Sequence, residues 1–149
     1  MGVSSHNIFN HMIISKKVEF SASHICRSPQ LSDEENLRVY GLAANPNSHG
    51  HNYIVEVAIE GDPDPITGMI LDLKHLKDIL EDRILKVYDH RLLNVEVDSF
   101  ADKVPTVENM AIDMWNRIEA HIDATGRARL FSVRVHETNE LFVEYRGKA

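Results

Sequence analysis

An α+β fold of order ββααββ, a four-stranded antiparallel sheet with two helices on one face, is predicted by three observations. Stretches toward both ends alternate apolar and polar residues at strand period, two central stretches repeat apolar residues at helical spacing, and turn-forming residues separate them. The first strand is read over Met12 to His24, with Val18, Phe20 and Ala22 on one face and Glu19, Ser21 and Ser23 on the other. A long polar connection, Arg27 to Ser48, follows, in which Ser32 and Glu35 form a capping-box pattern for a short helix to about Tyr40. The second strand, His51 to Glu60, sets Tyr53, Val55, Val57 and Ile59 against Asn52, Glu56 and Glu60. Gly61-Asp62-Pro63-Asp64-Pro65 and Thr67-Gly68 mark a turn. Asp72 then caps a helix with a stripe of Leu73, Leu76, Ile79, Leu80, Ile84 and Val87. Pro105-Thr106 opens a second helix and Gly126 closes it; Val107, Met110, Ala111, Met114, Ile118 and Ile122 are its buried stripe, with Trp115 at the edge. Two last strands, Leu130 to Glu137 and Leu141 to Arg146, are separated by a hairpin-length Thr138-Asn139-Glu140.

The 149 residues, 43% hydrophobic, suit one compact domain over 1–149, with 1–11 expected to be a flexible N-terminal extension. A net charge of −7, with no basic cluster longer than Lys16-Lys17, argues against a nucleic-acid surface and for a small-molecule partner. The single Cys26 excludes an internal disulfide framework and fits a reducing compartment. Neither a signal-peptide pattern nor an apolar run of membrane-spanning length is present, so the expected setting is cytoplasmic, away from membranes. A four-stranded sheet covered on one side leaves its other face and both edges open. Edge-to-edge joining around a symmetry axis, closing a barrel in a homo-oligomer, would remove those edges.

The candidate chemistry begins at His49-Gly50-His51, where two imidazoles two residues apart on an extended chain face the same side. His24 ends the first strand on its apolar face, so pairing of the two strands would bring three imidazoles together. Three His ligands hold zinc with one position open for catalysis, whereas solvent-facing histidines are the plain alternative. Asp89-His90 pairs a carboxylate with an imidazole, an arrangement suited to proton transfer; a His favoured by the preceding helix end is the alternative. Glu137 continues the count Phe131, Val133, Val135 and places a carboxylate on that face. A nitrogen heterocycle with paired N–H donors, Arg134 or Arg146, or exposure at the strand end would each satisfy it. Thr106 and Glu108 read equally as N-cap and first-turn acid. His6, His11, His75, His121 and His136 show no ligand-like grouping.

Seven segments in order carry a resemblance over about Lys16 to Gly147. They are Phe20-Ser21-Ala22-Ser23-His24, Leu31 to Arg38, Asn45 to Tyr53, Thr67-Gly68-Met69, Asp89 to Asn94, Pro105 to Asn109 and Glu137-Thr138. Together they resemble the 6-pyruvoyl tetrahydropterin synthase and 6-carboxytetrahydropterin synthase family, and the length of the Asn36–Asn47 segment is similar to the pyruvoyl branch. The resemblance implies a tunnelling fold, with trimers closing a twelve-stranded barrel, two trimers stacking into a hexamer, and active sites at subunit interfaces. It implies Zn2+ on His24, His49 and His51, an Asp-His proton relay at Asp89 and His90, and a pterin-anchoring glutamate at Glu137 with Thr106 and Glu108 nearby. The implied substrate is 7,8-dihydroneopterin triphosphate, from which triphosphate is eliminated.

One departure stands out: the family's proton-transferring cysteine falls at Ala43, and a methyl group accepts no proton. The glutamate some paralogues place three residues before the first His of the pair is not matched either, because Pro46 stands there. Three accounts are open. The first is a deliberate replacement of the cysteine by alanine, a common way to trap substrate. In the second, Cys26, two residues after His24, supplies the thiol. In the third, the homologue performs 6-carboxytetrahydropterin-type side-chain cleavage or binds pterins without turnover.

Overall fold

A computed structural model describes residues 12–149; the extension expected over 1–11 lies outside the described residues. The chain runs β1 (Ile13–His24), α1 (Asp33–Tyr40), β2 (His49–Gly61), α2 (Leu73–Leu80), a π-helical turn (Glu81–Leu85) and α3 (Lys86–Tyr88). It continues through β3 (Arg91–Leu92), α4 (Leu93–Glu96), α5 (Val107–Asp123), β4 (Ala128–His136) and β5 (Phe142–Tyr145). The sheet order is β3-β1-β2-β4-β5. This corrects the four-stranded antiparallel expectation: the sheet has five strands and is mixed, because β3 joins β1 in parallel through Ala22 and Ser23. Two residues, Arg91 and Leu92, are too few to register as an alternating pattern.

The apolar faces behave as their spacing predicts. Tyr53, Val55, Val57 and Ile59 of β2 pack with Phe20 and Ala22 of β1, Val133 and Val135 of β4, and the inner faces of α2 and α5 in one core. Three details differ. Leu73, assigned to the buried stripe, is exposed, because the helix begins there and its first turn lies outside the core. Val87 is only partly buried, and Tyr88 takes its place. Leu76, Leu80, Ile84 and Tyr88, four residues apart, are all fully buried. A strict four-residue step drifts on a helix of 3.6 residues per turn, and the wider π-helical turn absorbs that drift. Phe131 is the third. Ala58 pairs Ser132 but Ile59 pairs Leu130, so a bulge skips Phe131 and moves Ala128 and Leu130 onto the core face. Phe131 lies instead under the Arg146 guanidinium, 5.1 Å from the ring centre.

The other sheet face carries Lys17, Glu19, Ser21, Asn52, Glu56, Arg134, His136 and Glu144, and Arg134 and Arg146 both pair with Glu144. Such a face tolerates water. The edges are a different matter. Beyond Ala22–Ser23, β1 has no neighbour on its β3 side among the described residues; β5 pairs only with β4, and Ile13 and Phe142, on the two edges, are both 47% exposed. Among the described residues, no helix is long and apolar enough to cross a membrane.

Candidate metal and substrate site

Antiparallel pairing of β1 with β2 sets His24 opposite His49 and Ala22 opposite His51. All three imidazoles therefore stand on the core-side face at the end of two paired strands, and one ligand atom from each lies within 4.8 Å of the others. The Nε2 atoms of His24 and His49 are 2.9 Å apart. His24 is only 1% exposed and donates from Nδ1 to the Pro105 carbonyl at 2.8 Å, which fixes the tautomer that leaves Nε2 free as a ligand. Burial, reinforced by the neighbouring imidazoles, holds His24 and His51 below the ordinary histidine range, so both are neutral near pH 7.

His49 Nδ1 and His51 Nε2 are buried and have no hydrogen-bond partner among the described residues. Glu137 Oε1 approaches His51 Nε2 to 3.3 Å, but without the alignment of a hydrogen bond. Orphaned buried nitrogens cost about 1–3 kcal/mol each, and a cation ligated by His51 Nε2 would relieve that cost there. Three imidazole nitrogen donors suit zinc better than the oxygen-seeking magnesium or calcium. The residues fit the ion.

Glu137 follows β4 directly; its N–H donates to the Leu141 carbonyl, closing the hairpin, and its carboxylate reaches the triad. Of the partners the sequence left open, Arg134 and Arg146 are taken by Glu144 instead. Thr106 caps α5, its hydroxyl accepting from the Asn109 N–H at 3.3 Å, and Glu108 is exposed in the first turn. Pro105, one residue before that cap, ties the start of α5 to His24.

Ala43 lies half-buried in a 3-10 turn, Gly41–Ala44, and its carbonyl accepts the Cys26 N–H at 2.8 Å. Position 43 is therefore laced to the end of the strand that carries His24. The Cys26 thiol itself approaches His24 at Nδ1, 3.9 Å away, on the ring side that faces Pro105. Burial, aided by Glu137 and Glu108, pushes the thiol up to about 11, so it is protonated near neutral pH.

Two amide side chains that the sequence reading passed over brace this region. Asn36 bonds the backbone of Ser28 and Leu31, and Asn94 bonds both the N–H and the carbonyl of Ile25. Both belong to matching segments, but a lone Asn carries no signal of what it clips. The buried Tyr53 hydroxyl, 3.4 Å from both His24 ring nitrogens, was likewise read only as part of an apolar stripe.

Asp89 and His90 join β1 from the other side. The Asp89 carboxylate accepts the Ser21 N–H at 3.1 Å and faces His90 Nδ1 at 2.8 Å, while the His90 N–H donates to the Ser21 carbonyl. The Ser21 bond, with the His90 contact adding, holds Asp89 below the ordinary carboxylate range. His90 adopts φ 61°, a left-handed conformation rare for a non-glycine residue, and its imidazole is largely exposed. No hydrogen bond or ion pair links this dipeptide to the triad among the described residues. His90 and His51 nevertheless line one open groove of about 580 Å³, together with Ser21, Ser23, Asn52 and Arg91.

A family model for 6-pyruvoyl tetrahydropterin synthase matches residues 13–148. The chain is 42% identical over 135 residues to human 6-pyruvoyl tetrahydrobiopterin synthase, covering 91% of each protein. It is 30% identical over 104 residues to Bacillus subtilis 6-carboxy-5,6,7,8-tetrahydropterin synthase, 67% of this chain and 68% of that one. The solved Caenorhabditis elegans 6-pyruvoyl tetrahydropterin synthase superposes with a TM-score of 0.84 at 35% identity, over 95% of this chain and all of that one. With the family model matched over residues 13–148 and 42% identity to the human enzyme over 91% of each protein, the chain belongs to the 6-pyruvoyl tetrahydropterin synthase family.

Proposed function

We propose that this chain is a zinc-dependent enzyme of 6-pyruvoyl tetrahydropterin synthase type that binds 7,8-dihydroneopterin triphosphate and eliminates triphosphate from it slowly, because Ala43 replaces the usual base. The observation that carries this reading is the convergence of His24, His49 and His51 with Glu137 beside them. When bound, zinc supplies Lewis acidity to the side-chain hydroxyls of the substrate. Glu137 accepts paired N–H donors of the pterin ring, with Thr106 and Glu108 close to the same ring. Asp89 holds His90 by Nδ1, leaving Nε2 of this groove-lining imidazole to exchange protons with the substrate side chain. Side-chain cleavage of the 6-carboxytetrahydropterin kind, which releases acetaldehyde as well as triphosphate, is the second reading, supported by the 30% identity to the Bacillus subtilis 6-carboxy-5,6,7,8-tetrahydropterin synthase.

The test is incubation of the zinc-loaded protein with 7,8-dihydroneopterin triphosphate, following pterin binding by fluorescence and products by mass spectrometry. Binding should weaken at least tenfold in Glu137→Gln, since an amide loses the charge and one of the two acceptors. Unchanged affinity in that variant would remove Glu137 from the site, and a zinc-loaded protein that binds no pterin would refute the assignment.

The two open edges of the sheet support a further part of the proposal, a cytoplasmic homohexamer of two trimers in which β5 of one copy extends the sheet at β1 of the next. Sedimentation equilibrium should return six chain masses. A monomer at micromolar concentration would contradict it.

A further inference from the structure

Directly before the Asp89-His90 pair lies a partly buried polar network that neither the triad nor the substrate pocket uses. Tyr88 is fully buried, packed between the rings of Phe20 and Phe100, and its hydroxyl donates to the Asp113 carboxylate on α5. Asp113 also accepts from Ser99 Oγ at 2.5 Å and from Arg117 Nε at 2.7 Å, and Arg117 Nη2 donates to Ser99 Oγ at 3.1 Å. Burial, and then the Asp113 charge, push the Tyr88 phenol far above its ordinary range, so it remains a donor.

A partly buried ion pair such as Asp113–Arg117 contributes little to stability by itself, because desolvation offsets much of the attraction. Its place in the fold points elsewhere. The π-helical turn advances the helix so that Tyr88, not Val87, faces inward. The next residue, Asp89, must present its carboxylate to Ser21, and His90 must hold a left-handed backbone conformation. A strained residue keeps its conformation only where its surroundings over-determine it. Ser21 fixes the dipeptide on one side, and Tyr88, moored to α5, fixes it on the other.

We propose that Asp113, acting through the Tyr88 hydroxyl, is a positioning residue for the Asp89-His90 pair. The proposal rests on the reading of that pair as the proton relay. Loss of the mooring frees the turn to relax, and displacement of a proton-transfer group by about 1 Å can cost on the order of a hundredfold in rate.

The experiment uses the full-length, zinc-loaded chain carrying Ala43→Cys, assayed well below its melting temperature. Tyr88→Phe keeps the ring packing and removes only the donor; Asp113→Ala removes the acceptor; Asp113→Asn keeps an oxygen for Tyr88 and turns its amide toward Ser99. Expected are roughly ten- to hundredfold losses of kcat in Tyr88→Phe and Asp113→Ala, with KM and zinc content within about twofold, and rescue by Asp113→Asn. Asp89→Asn is run beside them. If Asp89→Asn abolishes turnover while Tyr88→Phe stays within twofold of the parent, the positioning role is overturned and the relay stands. Full turnover in Asp89→Asn sinks the relay and, with it, this proposal. An Asp113→Asn protein as impaired as Asp113→Ala overturns it as well, because the retained acceptor should suffice.

Discussion

Ala43→Cys should raise turnover of 7,8-dihydroneopterin triphosphate by about 10²- to 10⁴-fold, the usual contribution of a positioned acid–base group. The backbone at this position is already in place: the 3-10 turn ties residue 43, half-buried, to the chain two residues beyond the His24 end of β1 through the Cys26 N–H. Cys26 is not expected to substitute for it. Its thiol meets His24 on the Nδ1 side, and its pKa, raised to about 11, leaves little thiolate at neutral pH. Cys26→Ala should accordingly change turnover by less than about twofold in either background, a number set by the absence of any proton-transfer loss. Product mass spectrometry with steady-state rates for the four proteins decides the matter. A Cys26→Ala protein that loses the residual activity of the parent would make Cys26 the base after all. An Ala43→Cys protein that binds zinc and pterin yet gains no rate would refute the role given to position 43.

What the sequence made legible follows from which interactions are local. The triad was readable because period-two geometry puts His49 and His51 on one face and His24 at the end of an apolar one; only the β1–β2 register had to come from the fold. Capping at Ser32, Asp72 and Thr106 was readable for the same reason, since each cap bonds an N–H two or three residues ahead. Phe131 was misplaced because a bulge changes the phase of a strand without altering its residue types. Val87 was placed in the stripe at the expense of Tyr88 because a π-helical turn has no sequence signal comparable to a cap. The supports of the site lie beyond any spacing rule. Pro105, 81 residues from His24, contributes only a carbonyl, and Asn94 reaches Ile25 across 69 residues. The Asp113 network is largely of the same kind: Asp113 and Arg117 share α5, but Tyr88 and Ser99 reach them from elsewhere in the chain, 25 and 14 residues from Asp113.

His24→Ala should abolish stoichiometric zinc binding and, unlike His49→Ala, should also destabilise the metal-free protein by about 2–4 kcal/mol, in line with buried large-to-small changes. The asymmetry comes from their surroundings. His49 is only partly buried, whereas His24 is sealed beneath Tyr53, satisfies the Pro105 carbonyl and thereby holds the start of α5. Truncating it opens a cavity and strands a buried acceptor. The pH dependence has a definite sign. The folded-state values of His24 and His51 lie below the unfolded value near 6.5, so their contribution is full above that pH and is lost as pH falls through the folded values. Chelated protein should therefore lose thermal stability on acidification below about pH 6.5, and His24→Ala should flatten that dependence. Zinc at a hundredfold over its Kd should add about 2.7 kcal/mol to the parent and nothing to His24→Ala. Elemental analysis together with thermal melts in zinc and in chelator, from pH 5 to 8, reads all of this. Retained one-to-one zinc in His24→Ala would show that the ion is held without it, and equal melting losses in His24→Ala and His49→Ala would remove the structural role assigned to the Pro105 bond.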